Sequence, residues 1–186
     1  MNLLATVLPG VVVIEPRVFE DDRGFFLETF QRQQYEAAGL PADWIQWNHS
    51  RSLRNVLRGL HYQIEHPQGK LVSVVRGEIF DVAVDLRQDS PTFGQWASAV
   101  LSDTNHRQLY LPPGLAHGFC VLSPIADVVY ACTDCYQPEH ERTIRWNDAD
   151  LAISWPVDEP LVSSKDRCGA RFADAPYFAK QFLLVR

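Results

Sequence analysis

The chain has 186 residues and a net charge of −6, with 46% hydrophobic and 22% charged residues. This length suits a single domain, residues 1–186, with a core large enough to fold without disulfides or structural metals. The acidic balance argues against a nucleic-acid or membrane-surface binder. No segment reaches the ~18 apolar residues of a membrane span. An anionic ligand would therefore need a local cluster of Arg and Lys side chains.

The N-terminal residues are apolar but carry no basic stretch, which argues against a signal peptide. The cysteines show none of the spacings of a disulfide framework, which is typical of reduced thiols in the cytosol; they are Cys120, Cys132, Cys135 and Cys168. We therefore expect a cytoplasmic protein.

The first part of the chain predicts two strands and a helix. The β-branched run at 11–14 predicts a strand, and a turn at 21–24 leads into a second strand at 25–30. Residues 31–38 predict a helix that ends at Gly39, since glycine tolerates the left-handed conformation of a helix stop.

Beyond residue 44, short apolar runs recur roughly every ten residues and predict one strand after another. These runs lie at 44–50, 57–63, 70–77, 78–87, 93–102, 107–114, 116–123 and 126–136. We expect the third and fourth runs to form a hairpin at Gly77. The later chain predicts a helical turn at 148–152 and an irregular segment at 164–167. The fold class predicted is all-β, a cupin-like jelly-roll barrel or double-sheet sandwich with one short N-terminal helix and short C-terminal helical segments.

A group of basic side chains stands out near the middle of the chain. His61 lies on a strand face with Gly59 and Gln63, and polar residues inside a barrel leave room for a ligand. Lys70 opens a strand that we expect to pair close to the His61 strand, and a buried lysine needs a partner such as a substrate oxygen. Arg58 has the wrong strand parity to join His61, unless Gly59 marks a bulge; otherwise it is a rim residue.

A second histidine, His117, follows a Pro-x-Gly turn that resembles the second metal motif of cupin barrels. The first such motif requires His-x-His, but here Gln63 replaces the second histidine. Two neutral histidines alone make a weak metal site, so we expect no metal. We then interpret His117 either as a hydrogen-bond donor to a carbonyl or phosphate oxygen of a ligand or as a structural histidine in the interior.

Several further residues have both structural and functional interpretations. The pair Cys132 and Cys135 lacks a second C-x-x-C and is interpreted as structural. Tyr130 shares a strand face with Cys132, and Tyr136 has the same parity if the strand continues. A carboxylate could orient His61, and two are available: Asp166, if the fold returns it to His61, and Asp81, which could also pair with His117. These alternatives stay open on residue type alone.

The motifs DDRGFFLE, QWNHS, LRGLHYQ, QGKLV, GEIFDVAVDLR, PPGLAHGF, PEHERTIRWND and KDR follow in this order over about residues 10 to 167. Together they resemble the dTDP-4-dehydrorhamnose 3,5-epimerase family. The resemblance implies a cupin-like jelly roll without metal or cofactor, usually a homodimer with strands exchanged between subunits. The segment at 168–182 departs from the family pattern.

The resemblance also implies roles for individual residues. His61 is the general base, Asp166 its orienting carboxylate and Tyr130 the proton donor, while Tyr136 stacks on thymine. Arg23 and Glu28 reach the site of the partner subunit. The ligand-contact positions are Arg23, Glu28, Gln46, Asn48, Arg58, Lys70, His117, Glu141 and Lys165.

The expected reaction inverts C3 and C5 of dTDP-4-keto-6-deoxy-D-glucose to give dTDP-4-keto-L-rhamnose. A C4 ketone acidifies both neighbouring C–H bonds, a neutral histidine can take the proton, and Lys70 can stabilise the enolate. No redox cofactor is needed, because the electrons return to the same carbon. The alternatives are a monoepimerase or ketoisomerase of the same fold, a metal-dependent cupin oxygenase and a non-catalytic sugar-nucleotide binding module.

Overall fold

A computed structural model describes residues 1–179, and within them the chain forms thirteen strands and two short helices. The strands are β1 Asn2–Ala5, β2 Val12–Glu15, β3 Val18–Asp21, β4 Gly24–Leu27, β5 Gln46–Leu53, β6 Leu57–Gln63, β7 Lys70–Arg76, β8 Glu78–Asp85, β9 Trp96–Ser102, β10 Gln108–Leu111, β11 Leu115–Val121, β12 Ile125–Cys132 and β13 Glu141–Thr143. The helices are α1 Arg32–Ala37 and α2 Ser164–Arg167, with 3₁₀ turns at Pro138–His140 and Phe172–Asp174.

The strands form two antiparallel sheets that pack face to face, and a separate hairpin. The six-stranded sheet has the order β1-β2-β10-β7-β12-β5, and the five-stranded sheet has the order β13-β6-β11-β8-β9. Strands β3 and β4 pair only with each other. This jelly-roll arrangement confirms the predicted fold class.

Three hydrophobic clusters cover the sheet faces. The main core lies between the sheets and joins Val72 and Val128 of one sheet to Ala83 and Phe119 of the other. Tyr35 of α1 packs on the outer face of the six-stranded sheet. Residues of the C-terminal part, such as Leu151 and Phe178, cover the outer face of the five-stranded sheet. Leu60 and Tyr62 of β6 belong to this outer face and point away from the interior, as their parity predicts.

The sequence predicts ten strands, whereas the described residues form thirteen, and the three that are missed are β1, β3 and β13. Three details of the predicted strands are also wrong. The hairpin predicted at Gly77 does not form, because β7 and β8 belong to different sheets and the chain crosses between them there. The strand predicted at 25–30 ends at Leu27, and β3 was not singled out. The strand predicted at 126–136 ends at Cys132, where the chain leaves the sheet for a loop.

The helices match the sequence pattern more closely. Gln31 caps α1 through its side chain, and Gly39 has a φ of 72°, as expected of the residue after a helix. At 148–152 a single backbone bond from Ala152 to Asp148 closes one turn. The segment 164–167, predicted to be irregular, is helical in α2. Of the divergent segment 168–182, residues 180–182 lie outside the described part of the chain.

Candidate active site

The inner face of the six-stranded sheet carries two polar rungs. Val72 of β7, Tyr130 of β12 and Asn48 of β5 are direct partners, and Val72 belongs to the core between the sheets. Because partnered side chains share a face, Tyr130 and Asn48 also point inward. The neighbouring rung, two residues along, aligns Lys70, Cys132 and Gln46 on this same face.

The five-stranded sheet presents its histidines to the same interior. His61 pairs with His117, which pairs with Ala83, and Ala83 pairs with Ala97. Both alanines belong to the core between the sheets, so both histidines point inward. His61 and Tyr130 therefore project from opposite sheets into one shared interior.

Arg58 joins this interior because β6 contains a bulge. Three residue steps separate Arg58 from His61 on β6, whereas their partners Phe119 and His117 are two steps apart on β11. The extra residue reverses the parity of Arg58, so that it shares the face of His61, as the sequence predicts if Gly59 marks a bulge. At Gly59 the chains approach so closely that an added Cβ would lie 2.6 Å from the Cα of Gly118, and the φ of Gly59 is +130°.

Lys70 reaches the site across the barrel rather than along one sheet. Its strand was expected to pair close to β6, but β7 lies in the other sheet. The charges of Asp81 and Glu141, both on strands of the five-stranded sheet, nevertheless act on the pKa of Lys70, and the charge of Arg58 acts on the pKa of Tyr130. Lys70 and Tyr130 are thus close enough to the five-stranded sheet for its charged side chains to act on them.

His61 forms a close pair with Asp166. Its Nε2 lies 2.5 Å from the Asp166 Oδ1, and the side chains are 26% and 4% exposed, respectively. Burial favours a higher pKa for Asp166, but hydrogen bonds from His61, Ser163 and the Gly59 backbone, with the charge of His61, outweigh it and lower the pKa. An ionised carboxylate only accepts, so the ring proton sits on Nε2 and the Nδ1 lone pair is available as a base.

The second histidine pairs with the rival carboxylate. The Nε2 of His117 lies 2.5 Å from Oδ1 of Asp81, and these side chains are 9% and 0% exposed. The buried Oδ2 of Asp81 has no hydrogen-bond partner among residues 1–179. The sequence left Asp81 open as a partner for either histidine, and the geometry assigns it to His117.

Lys70 and Tyr130 each carry an inward polar group without a partner. Neither the ammonium of Lys70 nor the hydroxyl of Tyr130 forms a hydrogen bond or ion pair with any residue in the described range. Burial lowers the pKa of Lys70, because a buried ammonium is poorly solvated, and raises the pKa of Tyr130 for the corresponding reason. Both polar groups are therefore free to contact a ligand.

Three predicted ligand contacts meet at one end of the barrel. The hydroxyl of Tyr136 donates to Glu141 Oε2 at 2.6 Å, and Glu141 forms an ion pair with Lys165. Burial favours a higher pKa for Glu141, but the hydrogen bonds from Lys165 and Tyr136 outweigh it and lower the pKa. Tyr136 lies in the loop after β12, so the parity argument made for it was wrong although it reaches the same region.

The amides Gln46 and Asn48 continue this polar region along β5. Gln46 donates to the Asn48 side chain at 2.8 Å, and Asn48 donates to Cys132 Sγ at 3.7 Å. Cys132 is buried inside and Cys135 is exposed in the loop, and neither is bonded in a disulfide. Their interpretation as structural residues is compatible with these positions.

Arg23 and Glu28 are not brought to His61 within the chain. Arg23 lies at the tip of the β3–β4 hairpin with its side chain 90% exposed, and its ion pair among residues 1–179 is with Asp21 at 2.5 Å. Glu28 lines a cavity of about 240 Å³ together with Arg17 and Tyr35 on the outer side of the six-stranded sheet. Their expected role therefore depends on a second subunit.

An open cavity of about 440 Å³ adjoins the pair of His61 and Asp166. It is lined by Arg58, His61, Lys165 and Asp166 and by the segment that precedes α2. This volume lies within the range of about 300–1,000 Å³ that is typical of small-molecule sites.

Two residues that hold this site together were missed in the sequence. Ser163 caps α2 by accepting from the Asp166 amide at 3.1 Å, and the pattern Ser-x-x-Asp is a readable start signal for a helix. Gln63 was noticed only as a departure from a metal motif. Its side chain instead makes three hydrogen bonds to backbone groups.

The chain is similar to known proteins over almost its full length. A family model described as dTDP-4-dehydrorhamnose 3,5-epimerase matches residues 5–174. A protein of that name from Pseudomonas aeruginosa is 56% identical over 180 residues, covering 96% of this chain and 99% of its own.

Solved structures agree with this similarity. A dTDP-6-deoxy-D-glucose-3,5-epimerase from Legionella pneumophila, in complex with dTDP-4-keto-L-rhamnose, has a TM-score of 0.93 and 48% identity, covering 97% of this chain and 98% of that one. A 3'-monoepimerase from Streptomyces bikiniensis, in complex with dTDP-quinovose, has a TM-score of 0.85 and 36% identity, covering 90% and 86%. The same fold therefore supports both double and single epimerisation.

Proposed function

The chain belongs to the dTDP-4-dehydrorhamnose 3,5-epimerase family, a family of isomerases in dTDP-rhamnose biosynthesis, and on that premise we propose which residues carry out its reaction. The proposed reaction inverts C3 and C5 of dTDP-4-keto-6-deoxy-D-glucose and yields dTDP-4-keto-L-rhamnose. This proposal rests on one observation: the side chains of His61 and Tyr130 project from opposite sheets into the same interior.

His61 is the base in this proposal and Tyr130 is the acid. The Nδ1 of His61 removes the proton from a carbon next to the C4 ketone, and Asp166 stabilises the imidazolium that forms. Inversion requires that a proton return from the opposite face. A phenol whose pKa is raised by burial keeps its proton at neutral pH and can deliver it there.

Lys70 stabilises the enolate. Proton removal leaves negative charge on the C4 oxygen, and a preplaced cation without a competing partner is suited to that charge. Losing a group of this kind raises the barrier by roughly 2.7–4 kcal/mol. We assign Lys70 this role because it lies on the same inward face as Tyr130, one residue pair along the sheet, and its ammonium has no partner among residues 1–179.

The remaining ligand contacts hold the nucleotide. Arg58 binds the diphosphate, for which guanidinium N–H groups are suitable donors, and His117 contacts the ligand through the ring edge that Asp81 leaves free. Tyr136 stacks on the thymine ring. Gln46, Asn48, Glu141 and Lys165 complete the contacts around the base and sugars.

Incubation of the purified protein with dTDP-4-keto-6-deoxy-D-glucose tests the reaction. The product is reduced and its sugar identified, and the reaction is repeated in D₂O. We expect an L-rhamnose derivative with deuterium at both C3 and C5. Deuterium at a single centre would instead assign the protein to the monoepimerases, which the similarity to the Streptomyces bikiniensis enzyme keeps as the second candidate.

The proposed working unit is a homodimer with exchanged strands. The β3–β4 hairpin pairs with no other strand of the described chain and exposes Phe19, Phe25 and Phe26. Strand β5 is an edge strand with an exposed Trp47. Exposed apolar groups beside an unpaired edge favour pairing with a second chain. In such a dimer Arg23 and Glu28 contribute to the partner's site.

Complementation between two inactive variants tests this exchange. Arg23→Ala and His61→Ala proteins are mixed, unfolded together and refolded. If Arg23 acts across the dimer, each mixed dimer has one intact site, and activity returns to about a quarter of the wild-type value. If both residues act within one chain, no activity returns.

We further propose that residues 1–186 act as a single domain in the cytoplasm. The four cysteines are free, as expected in a reducing compartment. No helix in the described range is long and apolar enough to cross a bilayer.

A further inference from the structure

The loop that carries Tyr136 is held by two glutamine side chains, one from each sheet. The loop, residues 133–137, follows β12 and leads to the 3₁₀ turn before β13. Gln46 of β5 accepts a hydrogen bond from the Tyr136 amide at 2.7 Å. Gln63 of β6 accepts one from the next amide, that of Gln137, also at 2.7 Å.

Gln63 uses its whole carboxamide for this purpose. Its Nε2 donates to the carbonyl of Cys135 at 3.2 Å and to the carbonyl of His66 at 2.8 Å. The residue is only 4% exposed. Because every polar atom of this buried side chain is bonded to backbone, Gln63 joins three chain segments: its own strand, the turn after β6 and the loop on both sides of Tyr136.

The orientation of the Tyr136 ring depends on these bonds. Tyr136 is 48% exposed, so packing fixes its ring weakly, and the hydroxyl bond to Glu141 at 2.6 Å holds only the far end of the side chain. Its backbone has left the sheet and lacks a strand partner, so the amide and carbonyl bonds from Gln46 and Gln63 replace the missing ladder. A stacking side chain that is already oriented loses less conformational entropy when a ring ligand binds.

We propose that Gln63 is a positioning residue for nucleotide recognition, which fixes the loop so that the Tyr136 ring is oriented for the base before the ligand arrives. This inference rests on the proposed role of Tyr136 in stacking on thymine. It predicts that Gln63 affects ligand affinity rather than the chemical step, since its side-chain hydrogen bonds go to His66 and to the loop and none goes to His61 or Tyr130.

The test uses Gln63→Met, which keeps the length of the side chain and removes all three hydrogen bonds. We expect the Kd for dTDP and the KM to rise by about tenfold, a modest loss for three hydrogen bonds in an exposed loop, while kcat stays within about twofold. Calorimetry with dTDP and steady-state kinetics measure these values. A general loss of structure would lower kcat and the Tm together.

A matched control is available at the other end of the barrel. Asn105 also makes three carboxamide hydrogen bonds to backbone, to Ser102, Arg107 and Val100. Asn105→Ala should change the Tm without changing the Kd for dTDP. If Gln63→Met folds poorly, Gln63→Asn replaces it, because the side chain stays polar and uncharged but is one methylene too short to keep all three hydrogen bonds.

A double-mutant cycle shows whether Gln63 acts through Tyr136. In a Tyr136→Ala background the Gln63→Met change should no longer weaken dTDP binding. Additive losses, or an unchanged Kd for Gln63→Met alone, overturn the inference. Failure of the proposed function is separate: Tyr136→Ala would then leave dTDP binding unchanged, or the wild-type protein would not convert the keto-sugar.

Discussion

The barrel contains two histidine–carboxylate pairs of equal length in different surroundings. In each, a histidine Nε2 lies 2.5 Å from an aspartate Oδ1. The side chain of His61 is 26% exposed beside an open cavity. Its carboxylate partner, Asp166, lies in the short helix α2, 105 residues further along the chain. His117 is 9% exposed, and its carboxylate is fully buried on the neighbouring strand.

This difference assigns different work to the two pairs. A catalytic base must gain and lose a proton at each turnover, so its charged form needs solvation and its free nitrogen needs access to substrate. His61 meets both needs. The pair of His117 and Asp81 is nearly closed to solvent, and changing the charge of one member there is costly. We therefore propose that the same two residue types serve as base in one pair and as fixed ligand contact in the other.

Removing each imidazole gives the largest expected contrast. His61→Ala should lower kcat by about 10³-fold or more while the Kd for dTDP changes little, because a general base contributes about 10²–10⁴-fold. His117→Ala should mainly raise the Kd for dTDP. Stopped assays with the keto-sugar and calorimetry with dTDP measure both. An unchanged kcat in His61→Ala would exclude it as the base.

Changing each carboxylate to an amide sharpens the comparison. An amide at position 166 can donate to Nε2, which moves the ring proton to Nδ1 and removes the basic lone pair. Asp166→Asn should therefore lower kcat by about 10²-fold or more. Asp81→Asn should cost less kcat and more stability, about 1–3 kcal/mol, since its site is fully buried.

Steady-state kinetics and thermal unfolding of the two Asn variants measure whether Asp166→Asn loses more kcat and Asp81→Asn loses more stability. If Asp81→Asn loses more kcat than Asp166→Asn, the roles of the two pairs are reversed.

The smallest expected effect is a shift in the alkaline limb of activity. Lys70 must be protonated to stabilise an enolate, and burial lowers its pKa from 10.5. Tyr130 must also be protonated, but burial raises its pKa from 10.0. Loss of the Lys70 proton should therefore lower kcat at a pH below the ordinary lysine pKa of 10.5.

Lys70→Arg provides the control for this assignment. A guanidinium stays charged at any pH of the assay, so the alkaline limb should move to higher pH even if the rate is lower. A kcat–pH profile of both proteins measures the shift. A limb that stays in place in Lys70→Arg would assign it to another group.

Much of the fold and site was predictable because it depends on local patterns. Ten of the thirteen strands in the described part of the chain follow from apolar runs and alternation, and the inward direction of His61 follows from parity. Arg58 was recoverable only through Gly59, which signals a bulge. The family motifs identified the other site residues without any geometry.

The rest depended on tertiary packing that local patterns do not encode. The turn at Gly77 looks like a hairpin, but its neighbours join different sheets because each strand finds its partners far along the chain. The pairing of Asp81 with His117 could not be chosen by residue type. Gln63 was noticed for the ligand that it replaces, whereas its function lies in backbone bonds that only the folded loop reveals.

The central claim is that a base and a separate acid act from opposite sides of the keto-sugar. Tyr130→Phe in D₂O tests it most directly, because phenylalanine keeps the ring and removes the proton donor. We predict that the recovered keto-sugar gains deuterium at the carbons next to the ketone, C3 and C5, while inversion at these carbons falls by about 10²-fold or more. Inversion at the wild-type rate in this variant would contradict the account.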